Sequence, residues 1–136
     1  MTELVSAIAC QQPLLDRPSN FVSYINVVEQ VPILRGKTPA FWVCTVWHRD
    51  EPEDGPTWRS VLRDPAGRII ARFNADPSPV GEWTRLRSNL LIQPVELESE
   101  GKYRLEVQLS TNDRWKKVAS IPLDVQEPKP VGEQPT

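Results

Sequence analysis

His48 is the sole histidine of the chain and stands four residues after Cys44, so a local nucleophile and base would have to be drawn from these two. On an extended strand they share a face, but at about 3.3 Å per residue they lie about 13 Å apart, beyond the hydrogen-bond reach of a catalytic dyad. Cys10 would have to be brought to His48 from another strand, together with a third orienting group. No CxxC or HxxxH spacing offers zinc a site, and no Gly-rich loop offers a phosphate cradle. The run Asp50-Glu51-Pro52-Glu53-Asp54-Gly55 concentrates carboxylates that a hard cation would accept, yet it lacks the alternating ligands and terminal Glu of a calcium loop. It reads as a solvated turn, or as an electrostatic complement to the arginine face of another copy. The expectation is a non-enzyme that needs no cofactor and no metal.

Arginine and tryptophan offer binding chemistry instead. Asp64-Pro65-Ala66-Gly67 suits a type I turn with Gly67 in the left-handed region. Burial favours a hairpin register in which Arg63 faces Arg68, Val61 faces Ile70 and Arg59 faces Arg72. Trp58, Ser60, Leu62, Ile69, Ala71 and Phe73 then point to the other side. Opposed like charges cost stability unless anions or carboxylates sit nearby. The four arginines therefore form either a solvated face laced with intramolecular ion pairs or a contact surface for an acidic partner, with Val61 and Ile70 as its apolar centre. Arg85 and Arg87 share a face of the next strand and would extend that patch. Trp42 and Trp47, an odd number of residues apart, must lie on opposite faces of one strand. The run from Ala40 to Val46 is apolar on both faces, so it is either a central strand covered on each side or a second contact surface. A sugar-stacking platform has one hint, Trp115 beside Asn112 and Asp113.

The elements that position these groups are strands. In Gly101-Lys102-Tyr103-Arg104-Leu105-Glu106-Val107-Gln108-Leu109 the apolar residues fall on every second position, the period of a strand with one face on a core and one in water. Ser110-Thr111-Asn112-Asp113 and the apolar run to Val125 complete a hairpin. Further strands are expected at Leu4 to Gln11, Phe21 to Glu29, Ala40 to Arg49, Thr57 to Arg63, Arg68 to Asn74, Trp83 to Ile92 and Trp115 to Val125. Pro122 has no N–H to donate, so the last strand is expected at an edge or with a bulge. About eight short strands with no helical period between them predict an all-β, two-layer antiparallel β-sandwich.

The chain has 136 residues, 39% hydrophobic and 25% charged, which suits one domain over residues 1–125; residues 126–136 read as a flexible Pro-rich tail. A net charge of −2 argues against nucleic acid as the main partner. The acidic Met1-Thr2-Glu3-Leu4 start does not match a secretory signal, Ser6-Ala7-Ile8-Ala9-Cys10 lacks the basic segment of a lipoprotein leader, and no run is long enough to span a membrane. The expected address is the cytoplasm, with Cys10 and Cys44 as reduced, buried thiols.

Glu98-Ser99-Glu100-Gly101-Lys102-Tyr103 resembles the opening of the penultimate strand in immunoglobulin-like sandwiches, which implies a corner at which the Tyr103 hydroxyl bonds back to the loop. The inter-sheet disulfide pattern of extracellular members is missing. More widely, Ala7-Ile8-Ala9-Cys10, Ser23-Tyr24-Ile25-Asn26-Val27, Pro32, Asp64-Pro65-Ala66-Gly67 and Gly101-Lys102-Tyr103 resemble a family of small bacterial cytoplasmic proteins of unassigned function (DUF6941-type). That resemblance implies no chemistry. The sequence thus points to a non-catalytic protein-interaction or accessory module of a bacterial cytoplasm, binding an unidentified protein partner or its own copy. The alternatives are a carbohydrate or other ligand-binding module using exposed Trp, and polyanion binding through the arginine face.

Overall fold

The computed structural model describes residues 2–16, 18–19, 21–28, 30–32, 36–51, 56–76 and 84–126, with 30–32 described in backbone only. Among the described residues nine strands follow in order: β1 (Thr2–Asp16), β2 (Phe21–Val27), β3 (Gln30–Pro32), β4 (Phe41–Arg49), β5 (Trp58–Arg63), β6 (Ile69–Asn74), β7 (Arg85–Ile92), β8 (Gly101–Thr111) and β9 (Arg114–Gln126). They form two layers, a four-stranded sheet ordered β2-β1-β4-β7 and a five-stranded sheet ordered β3-β9-β8-β5-β6. Every pairing is antiparallel except the three-residue β3 alongside β9. The fold is thus the expected all-β sandwich. The acidic run is described only at Asp50 and Glu51, both exposed; residues 52–55, Trp83 and the tail after Gln126 lie outside the described residues.

Alternation builds the core. Phe41, Val43 and Trp47 of β4 meet Tyr103, Leu105, Val107 and Leu109 of β8, all 5% exposed or less. Trp47 and Trp58 approach across the layers with ring centroids 6.0 Å apart. Each buried indole N–H has a partner: Trp47 donates to Thr45 Oγ1 at 2.7 Å and Trp58 to Ser88 Oγ at 2.8 Å. A buried Trp is tolerated only when that donor is satisfied.

Turn chemistry sets the hairpins. Asn112 and Asp113 both have positive φ, the backbone of a two-residue type I′ turn between β8 and β9. At the β5–β6 turn, Gly67 has φ 88° and donates its N–H to the Asp64 carbonyl at 2.9 Å. Asp64 accepts from the N–H groups of Ala66 and Arg68 and from Arg68 Nε, and these bonds hold its carboxyl below the usual carboxylate range. Gly101, at φ 143°, brings the start of β8 against the same turn; a Cβ there would stand 2.8 Å from Pro65 Cγ. Nearby, the Tyr103 hydroxyl donates to the Ser99 carbonyl at 2.8 Å, the corner that the resemblance implies.

The β5–β6 register differs from the expected one. Arg59 lies opposite Asn74, Ser60 opposite Phe73, Val61 opposite Arg72 and Leu62 opposite Ala71. Arg63 then faces Ile69, which leaves Ile70 as a bulge. From Arg59 to Leu62 the pairing is displaced by two residues, which leaves those side chains on their predicted faces; at Arg63 the displacement is one residue, and both arginine–arginine pairs are removed. At the other end, β9 carries Pro122 where β3 does not reach, the edge position expected of that proline, while a separate bulge lies at Val118.

Candidate functional site

Two surfaces carry the groups singled out by the sequence, and a third carries exposed apolar groups that were not. The first is the outer face of the five-stranded sheet. Arg63 Nε lies 3.1 Å from Glu106 Oε2, and Arg63 also donates to the Gly67 carbonyl at 2.9 Å. Glu106 accepts from Gln108 Nε2 at 3.0 Å, and Gln108 Oε1 accepts from Arg59 Nε at 2.8 Å. The Arg59 guanidinium lies over the Trp115 ring, 4.1 Å from its centroid. The result is a chain of contacts from Arg63 through Glu106, Gln108 and Arg59 to Trp115, crossing β5, β8 and β9. Glu106 and Gln108 are each 7% exposed despite pointing away from the core. Burial of Arg59 and the nearby Arg72 charge lower the Arg59 pKa, consistent with a cation drawn into the sheet surface.

Several expected contact residues are therefore engaged elsewhere. Val61 is fully buried at 0% exposure, flanked along β5 by Arg59 and Arg63 and across it by Arg72 and Glu106, so it cannot be an exposed apolar centre. Long arginine side chains cover apolar surface with their hydrocarbon stems while the charge stays wet. Arg68 is bonded to Asp64. Ile70, 38% exposed, lines an open cleft of about 630 Å³ shared with Asp64, Arg68, Glu96, Glu98 and Tyr103. Arg72 remains exposed, with no carboxylate paired to it among the described residues. Trp115 is 41% exposed but already holds Arg59 against its ring, which occupies a face that a stacked sugar would need.

The second surface is the outer face of the four-stranded sheet. Arg85 and Arg87 belong here, opposite His48 and Val46 on β4, so they cannot extend an arginine patch on the other sheet. Trp42 is half-buried on this face beside Cys10, whereas Trp47 points into the core at 0% exposure and is unavailable to a partner. Their opposite facing agrees with the odd spacing; the strand is central, between β1 and β7. The pairing missed in the sequence is that of the two thiols: Cys10 Sγ and Cys44 Sγ are 3.6 Å apart and both are buried. Cys44 stands opposite Ile8, and Cys10 opposite Trp42, so the cysteines are diagonal neighbours. Burial, then the bond to Cys10, push the Cys44 thiol up to about 12. Tyr24 is also raised, first by burial and then by Cys44. Such thiols are poor nucleophiles. Cys44 is thus turned to Cys10 rather than to His48, whose Nε2 lies 3.6 Å from Asp50 Oδ1 and whose buried Nδ1 has no partner among the described residues.

The third surface was not anticipated. β4 accompanies β1 only as far as Cys10, opposite Trp42, while β1 runs on to Asp16 with β2 as its sole strand neighbour among the described residues. The two strands project as an arm. Its apolar side chains are largely open: Phe21 is 76% exposed, Val27 55%, Leu15 51%, Leu14 44% and Ile25 38%. Pro13 reads as a strand terminator, yet it lies within β1, opposite Tyr24.

No protein-family model matches the chain, and no curated protein matches it. Among solved structures the chain is similar to CopC from Methylosinus trichosporium OB3b, at 12% identity over 96% of this chain and 99% of that one, with a TM-score of 0.47. A likeness of this size transfers no property.

Proposed function

We propose that this protein is a non-catalytic protein-interaction or accessory module of a bacterial cytoplasm, and that the β1–β2 arm is its principal contact surface. The observation that carries this reading is the exposure of Leu14, Leu15, Phe21, Ile25 and Val27 on one projecting two-stranded element. Two-stranded ribbons are marginally stable alone, and large clustered apolar groups at a surface mark interaction sites. The cationic surface, now centred on Arg72 with Ile70 beside it, is a secondary contact. The immunoglobulin-like layout and membership of the small bacterial family belong to the same proposal, supported by the Tyr103 corner and by the quoted motifs respectively.

The test is co-purification of the tagged protein from its native host, with and without nuclease, comparing Leu15→Ser/Phe21→Ser with Arg59→Glu/Arg72→Glu. Loss of a stoichiometric protein with the first pair and its retention with the second is the expected result. Retention with the first pair and loss with the second would return the contact to the arginine face. Recovery of nucleic acid in place of protein would favour the polyanion reading.

A further inference from the structure

Resting on the arm as the contact surface, we infer that β2 pairs with β2 of a second copy, edge to edge and antiparallel, joining two four-stranded sheets into one of eight strands.

The argument starts from a contrast among strand edges. An unpaired edge exposes N–H and C=O groups to any passing strand, and proteins defend such edges with charge, Pro, bulges or short length. β7 carries Arg85 and Arg87; β6 carries Arg72 and the bulge at Ile70; β3 has three residues and ends in Pro32. The part of β9 that β3 leaves uncovered carries Arg114, Lys116, Lys117 and Pro122. β2 reads Phe-Val-Ser-Tyr-Ile-Asn-Val, with no charge, no Pro and no Gly, and among the described residues no strand pairs with its outer edge. It is rich in aromatic and β-branched residues that favour strands. Asn26, at φ 54°, is the single irregular residue and confines regular pairing to residues 21–25.

Those residues are self-complementary. A two-fold axis through Ser23 places Phe21 against Ile25 of the second copy, Val22 against Tyr24, and Ser23 against itself. Phe21, Ser23 and Ile25 are exposed, whereas Val22 and Tyr24 are half-buried, so like environments meet on each face. Leu14, opposite Ser23 on β1, extends the same apolar face. Phe21 and Ile25, 76% and 38% exposed, are the apolar side chains that this register brings together, with Leu14 behind them on the same face. Main-chain hydrogen bonds along residues 21–25 supply the rest of the contact, as in other strand-addition interfaces. Any other partner would have to supply its own uncharged edge; a second copy supplies one by identity.

The experiment is sedimentation of the full chain across a range from low to several hundred micromolar. Wild type is expected to move from one to two copies, Phe21→Lys/Ile25→Lys to stay monomeric with an unchanged circular dichroism spectrum, and Phe21→Lys/Ile25→Glu to recover dimer because each Lys then faces a Glu. Ser23→Cys is expected to oxidise to a covalent dimer, with Cys10 and Cys44 buried away from the reaction. A wild type that is monomeric throughout, or a Ser23→Cys chain that forms no covalent dimer, overturns self-pairing. If Leu15→Ser/Phe21→Ser still loses a different protein in the co-purification, the arm reading stands without it; if neither is seen, both fall.

Discussion

The outer face of the five-stranded sheet and the β1–β2 arm solve opposite problems. On the first, cations that would repel one another are drawn into a closed sequence of contacts, with Glu106 as the buried carboxylate between Arg63 and Gln108. On the second, apolar groups are left open, Phe21 most of all, with Asp16 opposite it at the tip. Conspicuous residues are not thereby available ones. The arginines are largely satisfied from within, and the surface with most to gain from a partner is a run that carries no chemical signature.

The outer face of the four-stranded sheet sharpens that comparison, because there the reactive groups are closed by burial rather than by charge. It also gives the largest expected effect. With Cys44 held at about 12, its thiolate fraction near pH 8 is about a thousandfold below that of an ordinary thiol, and iodoacetamide should modify Cys44, followed by peptide mapping, far more slowly in the native protein than in the unfolded chain. Because the folded value is raised, the contribution of Cys44 to stability is complete below the unfolded value near 9 and is lost as pH rises through 12. Urea unfolding should show stability falling across that window, and Cys44→Ala should flatten the fall.

Glu106→Ala separates the closed face from the open arm directly. It removes a carboxylate from beside Arg63 and Gln108, and should cost about 2–3 kcal/mol in urea unfolding, near the lower end for breaking a buried pair because Arg63 is partly wet. Phe21→Ser, on a side chain already in water, should change the monomer's stability by less than ~0.5 kcal/mol. Equal costs would break the comparison. A smaller effect is expected at the corner: Tyr103→Phe removes the bond to the Ser99 carbonyl and should cost about 1 kcal/mol, read as a lower urea midpoint at constant slope. The smallest is at the turn. Asp64 is depressed, so its contribution is present above the unfolded carboxylate value and fades as pH falls through the folded one; Asp64→Asn should reduce the pH dependence of stability in that acid range.

How far the sequence could be read follows the same division. Period-two alternation in β8 and the turn at Asp64 to Gly67 were legible because each is dictated by neighbours in the chain. The register of β5 on β6 was not, since pairing beyond the turn depends on a bulge at Ile70 that alternation does not report. Nor was the partner of the arginines. Glu106 and Gln108 sit on the water side of β8 in the sequence and become buried only when β5 lies alongside. The Cys10–Cys44 approach likewise joins residues whose strands pair over a distance in sequence, and the arm is visible only once the pairing of β1 with β4 is seen to end at Cys10 and Trp42. Pro13 hid it further by resembling a strand end.

The most direct measurement places a photo-crosslinking amino acid at position 21 in one version of the chain and at position 72 in another, and irradiates each in living cells. The account predicts a discrete protein adduct from position 21 as the dominant product, at twice the chain's mass if β2 pairs with itself, and a weaker one from position 72. A discrete adduct from position 72 with none from position 21 would contradict it.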